Sequence, residues 1–196
     1  AYGAGSSPAL IQALYISKGP MLIAALVEFG IVWYLSSRIY KLSLASATLW
    51  FILFSAINGL TLGWIFAVYK IAIIAKTFFV TAGTFGAMAL IGSTTKKDLT
   101  KFGGVLFMAL IGLIIASLVN LFLHSSTMDY IVSIVGVLIF TGLTAWDAQA
   151  IKRNLLMAPD AGESAQKIAL LGSLSLYLDF INLFLYLLRF FGNNKN

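Results

Sequence analysis

Three carboxylates lie inside long apolar runs of this sequence: Glu28, Asp147 and Asp179. Asp179 stands about half way along the last run, Leu170 to Gly192, which reads LLGSLSLYLDFINLFLYLLRFFG. Asp147 lies in the run before it, in TAWDAQAIK. An acid surrounded by hydrocarbon is costly unless it is protonated, paired or facing water, and so marks a functional site by default. Two carboxylates brought close together cannot both ionise cheaply. Such a pair can share one proton near neutral pH, and the hydrogen bond then ties its two helices together. Ionised, the same groups repel each other or draw a cation onto their oxygens. The residues alone therefore speak of a path for cations or protons.

Positioning such acids requires membrane-spanning elements, and the composition supplies them. Of 196 residues, 60% are hydrophobic and only 10% charged, with a mean hydropathy of +0.96; a soluble domain carries about 25% charged residues. With no cysteine, disulfides and thiolate metal sites are excluded. The formal charge of +6 does not point to nucleic acid, because the basic residues sit in short connections between apolar runs, beside lipid headgroups. The fold class is all-α, a polytopic helical bundle forming one transmembrane domain over residues 1–196. Six helices are expected at 20–37, 44–68, 72–92, 102–124, 129–151 and 168–190, each near the ~20 residues that cross ~30 Å of hydrocarbon.

Alternate connections carry unequal charge. Arg38, Lys41, Lys96, Lys97, Lys101, Lys152, Arg153 and Lys167 fall on one side, and Lys18, Lys70, Lys76, Arg189 and Lys195 on the other. The positive-inside rule puts the first set in the cytoplasm. The first residues, AYGAGSSPALIQ, lack the basic start of a signal peptide and read as a loop, with a further helix expected before Ala1. The small-xxx-small spacings Gly59/Gly63, Gly83/Ala87 and Gly112/Ala116 mark expected close helix packing.

At ~1.5 Å rise per residue, Asp147 lies ~6 Å inside the cytoplasmic end of its helix, Asp179 ~16 Å deep and Glu28 ~12 Å from the outer end. The three acids would then span the bilayer in steps. Arg38 has a depth similar to that of Asp147, so an Arg38–Asp147 ion pair could close a cytoplasmic mouth. Asn182 and Tyr186 follow Asp179 by three and seven residues on one helix face and are expected to orient it. Asn58 and Asn120 read as hydrogen-bond glue between helices, and His124 as a solvated loop residue.

The runs FSAINGLTLGWIFAVY (54–69), FFVTAGTFGAMALIGSTTKKDLTKFGG (78–104), TGLTAWDAQAIK (141–152) and SLYLDFINLFLYLLRFFG (175–192), in this order, resemble the transmembrane Bax-inhibitor-motif family across nearly all of residues 20–192. The resemblance implies a seven-helix protein whose last helix is central. It also implies a pH-sensitive calcium leak controlled by two aspartates, here Asp147 and Asp179, which would hold calcium in transit. The family pattern Tyr-Asp-Thr-Gln is replaced by Trp146-Asp147-Ala148-Gln149, which removes two hydroxyls from the surroundings of Asp147.

The expected function is a pH-sensitive cation leak, not an enzyme and without a resident cofactor, in a bacterial inner membrane; its partners are calcium ions, protons and the bilayer. A proton-coupled antiporter would use the same acids as a relay. An intramembrane aspartyl protease also needs two aspartates, but its Gly-x-Gly-Asp is missing at Leu176-Tyr177-Leu178-Asp179. A regulatory protein that binds a membrane protease or cell-death partner through the 152–167 loop is the remaining alternative.

Overall fold

The computed structural model describes residues 18–159 and 161–193, so the further helix expected before Ala1 lies outside the described residues. It contains α1 (Lys18–Arg38), α2 (Leu44–Val68), α3 (Ile71–Thr94), α4 (Thr100–Leu123), α5 (Ser126–Leu156) and α6 (Glu163–Asn193). The protein is all-helical, and α2 to α6 are each long and apolar enough to cross a membrane. The last two helices run well past their apolar cores. The expected bounds 129–151 and 168–190 follow hydropathy, whereas the backbone of α5 and α6 stays helical through the polar residues at their ends.

Local signals explain where the helices start and stop. Ser43, with extended backbone, opens α2 by accepting a hydrogen bond from Ser46 N at 3.2 Å, filling one of the donors that a helix start leaves unpaired. Within α2 the backbone tightens to a 3₁₀ turn at Leu62–Trp64, just after Thr61. The α4–α5 turn is short. His124 closes α4 in the left-handed region (φ 49°) with its N–H on Asn120 O at 2.9 Å, a conformation that His tolerates better than most residues. Ser125 then caps α5 through Met128 N. The Asn120 side chain staples this turn, accepting from Ser125 N at 3.0 Å and donating to Ser125 O at 3.2 Å. His124 is exposed, as a loop residue should be.

The described residues divide into two compact units, one within 18–74 and 158–171, the other within 75–157 and 172–193. In the first, α1 and α2 form an antiparallel hairpin. Tyr34 and Trp50 meet at 5.3 Å between ring centroids, and half way along α1 Glu28 is bound by Asn58 and Thr61. In the second, α3, α4, α5 and α6 from Gly172 onward surround a core of Leu113, Val132, Ile139, Phe140, Leu143, Leu183 and Leu187. Lipid tails are as apolar as these side chains, so close packing rather than the hydrophobic effect holds such helices together. Within this unit α6 has neighbours on several sides: Phe180 meets Phe78 and Phe85 of α3 at 5.8 and 5.4 Å, and Tyr186 stacks on Phe140 of α5 at 5.7 Å.

The tightest helix approaches are not at the expected small-xxx-small spacings. A Cβ built on Gly59, Gly83 or Gly112 meets nothing within 4 Å. The backbones close up instead where α5 passes its neighbours. Gly92 of α3 lies against the Ala145 backbone, Gly103 of α4 lies under the Trp146 indole, and Gly136 faces the Tyr186 ring. A Cβ on Gly103 would stand 2.5 Å from that indole. Spacing along one helix tells which face is smooth, but only the partner decides whether that face is used.

Candidate functional site

Asp147 sits in α5 between residues that each grip a neighbouring element. Ala145 is the contact of Gly92 and Trp146 that of Gly103. Ala148 is buried. Gln149 clamps the α3–α4 connection: its Oε1 accepts from Leu99 N and its Nε2 donates to Lys97 O, both at 2.8 Å. One turn further, Lys152 Nζ donates to Ser93 O at 2.7 Å, and Arg153 donates to Thr100 Oγ1 at 2.5 Å. Lys152 thereby satisfies a carbonyl in the last turn of α3, the end at which a cation is favoured. The backbone carrying Asp147 is thus held from both sides.

Asp179 is 5% exposed. Asp147 and Asp179 lie within hydrogen-bonding reach of one another. A hydrogen bond between two carboxyl groups exists only while at least one proton is present. Asp179 Oδ2 is buried without a hydrogen-bond partner among the described residues, an orphaned acceptor of the kind that calls for a proton, water or ion. The structure thus brings together the two acids on which the sequence reading turns. Glu28 and Arg38 belong to the first unit. Glu28 accepts from Thr61 Oγ1 at 2.7 Å and from Asn58 Nδ2 at 3.0 Å, so Asn58 does join two helices. The Arg38 guanidinium lies over the Tyr34 ring at 5.9 Å.

The two residues expected to orient Asp179 have other contacts. Asn182 Nδ2 donates to Leu178 O of its own helix at 2.8 Å, the usual outcome when a short amide can reach the carbonyl four residues back. Tyr186 is spent on Phe140 and on the space over Gly136.

A second polar cluster lies at the other end of α5. Asp129, in the first turn of α5, is paired with Arg189 of α6 and accepts from Asn120 Nδ2 at 2.5 Å. In the sequence Arg189 reads only as an outer charge. The signal that could have found this cluster is the helix start itself, where Ser125 as cap and an acid in the first turn are standard signs. Among the described residues no group of three or more His, Cys, Asp or Glu side chains is clustered as a metal cage.

The sequence model of the family described as inhibitor of apoptosis-promoting Bax1 matches residues 2–196. The chain belongs to that family. Relatives of this Bax inhibitor-like protein include the inner membrane protein YbhL of Escherichia coli K12, 48% identical over all of this chain and 84% of its own length. An uncharacterized protein of Borreliella burgdorferi is 45% identical with the same coverage. An uncharacterized membrane protein of Streptococcus pyogenes serotype M1 is 43% identical over 87% of this chain and 73% of its own. With its apolar helices and bacterial relatives, the Bax inhibitor-like chain is an integral protein of the bacterial inner membrane.

Proposed function

We propose that this protein is a pH-sensitive leak path for cations rather than an enzyme, with calcium as cargo and Asp147 and Asp179 as the gate. The observation that carries the reading is the pairing of the two carboxyls across α5 and α6, with Asp179 Oδ2 unpartnered. With one shared proton the pair is a latch between the two helices. When that proton leaves, two like charges in an apolar setting repel, and the oxygens become ligands for a passing cation. A weak two-carboxylate site suits conduction, which requires binding loose enough for the ion to leave.

The test is calcium influx into liposomes containing the purified protein, measured between pH 6 and 8. Wild type is compared with Asp147→Asn, Asp179→Asn and the double variant. Flux that changes with pH in wild type and not in the variants supports the gate. Equal leakage from all four proteins, or none from any, assigns the acids a structural role. A regulatory partner at the 152–167 loop then becomes the leading explanation, and scrambling that loop tests it.

A further inference from the structure

On the side that the charge bias assigns to the cytoplasm, α3 and α5 part to leave an open groove of about 460 Å³. Small side chains make the space: Ala89 of α3 and Ala148 of α5 end at Cβ, and Ile151 and Leu176 supply apolar walls. The volume falls within the ~300–1,000 Å³ of ordinary small-ligand sites. Its charged member is Lys152, which shares the lining with Ser93.

The bond from Lys152 Nζ to Ser93 O fixes that ammonium beside the groove. An ammonium has three donors, so two remain. The charge around it is one-sided. Lys96, Lys97 and Lys101 belong to the α3–α4 connection and the start of α4, which Gln149 and Arg153 tie to α5. The acid of that connection is Asp98, which faces Arg153 and Lys101. Five basic groups and one carboxylate thus belong to the segments that Gln149, Lys152 and Arg153 join at this end of α3 and α5.

We infer that this groove is a binding site for an anionic phospholipid of the cytoplasmic leaflet, with its phosphate on Lys152 and an acyl chain against Ala89, Ala148 and Leu176. Basic pockets between membrane helices on the cytoplasmic side are suited to such headgroups. A zwitterionic lipid offers the same phosphate but adds a cation that the basic cluster repels. The inference does not depend on the acid pair conducting ions.

Native mass spectrometry of the purified full chain, titrated with phosphatidylglycerol or phosphatidylcholine, tests it. One lysine near anionic lipid corresponds to roughly a fivefold change in affinity. Phosphatidylglycerol should bind at least about that much more tightly than phosphatidylcholine. Lys152→Gln removes the charge but keeps a donor for Ser93 O, and should abolish most of this preference. Lys70→Gln, with the same loss of charge on the opposite side, should keep it. Ala89→Leu fills the slot and should weaken both lipids. Equal binding of the two lipids, equal losses in the two lysine variants, or unchanged binding in Ala89→Leu would overturn the assignment. So would displacement of phosphatidylglycerol by inorganic phosphate, which would mean a site for a soluble anion.

Discussion

The substitution chosen for each aspartate decides which state of the pair is imitated. An asparagine at 147 or 179 keeps a donor that can bond to the remaining carboxylate with or without a titrating proton, so Asp147→Asn should give a tied pair at every pH. Alanine removes the donor and leaves a lone acid opposite a void. The expected result is low, flat calcium flux for Asp179→Asn or Asp147→Asn between pH 6 and 8, and higher, equally flat flux for the alanine variants. Liposome influx checks both. Asn and Ala variants that behave alike would mean that the hydrogen bond is not the latch. These two acids were legible from sequence because a carboxylate in an apolar run has few bland explanations. Gln149 was not, since a polar residue close to a helix end is ordinary, and only the folded chain shows its amide holding Leu99 N and Lys97 O.

At the scale of the element, α5 is the member that organises its unit, and its grip on the α3–α4 connection can be measured. Gln149→Ala leaves Leu99 N and Lys97 O without their partner, which costs about 1–3 kcal/mol where groups are buried; these are partly exposed, so the lower end is expected. Thermal unfolding in detergent, with faster hydrogen exchange at 97–100, reads the effect. Asp98 in the same connection accepts from Thr100 N at 2.9 Å. Its bonds to the Thr100 side chain and backbone, aided by Arg153 and Lys101, hold its carboxyl below the ordinary 3.8. A depressed folded-state pKa contributes stability that is fully present above the unfolded value and is lost as pH falls through the folded one. Asp98 is therefore ionised throughout pH 6–8, and Asp98→Asn should leave the midpoint of the flux response unchanged. A shifted midpoint would move the sensor to this loop. All six helices were legible from their apolar runs, and α2 to α6 are long and apolar enough to cross a membrane, yet their packing contacts were not. Gly83 and Gly112 had the right spacing and meet nothing, while Gly92 and Gly103 are used because Ala145 and Trp146 come to them.

Across the second unit as a whole, α5 and α6 from Gly172 onward are joined at three levels: Ile151 against Gly172 toward the C-terminal end of α5, the acid pair further along, and Asp129 with Arg189 at the N-terminal end of α5. If the acid pair separates these helices when it ionises, the Asp129–Arg189 ion pair is the fulcrum about which they part. Its side chains are about a third exposed (33% for Asp129, 37% for Arg189), so the charge attraction alone is modest. Asn120 adds a hydrogen bond to the same carboxylate, and an acid in the first turn of α5 is also favoured by the helix dipole. Arg189→Gln removes the cation but leaves Asp129 bonded to Asn120, and should cost about 1 kcal/mol or less. Asp129→Ala strips Asn120 and the helix start as well, and should cost about 1–3 kcal/mol. The charge swap, Asp129→Arg combined with Arg189→Asp, restores opposite charges but sets both against their helix dipoles, so it should recover only part of the loss. Thermal unfolding of wild type and these three variants gives the ranking, and calcium flux gives the mechanism. Weakening the fulcrum favours the parted state, and because parting is linked to ionisation of the acid pair, flux should rise and its midpoint should move to lower pH. Flux and midpoint that both stay at the wild-type values in Arg189→Gln would instead mean that this ion pair holds the fold without bearing on the gate.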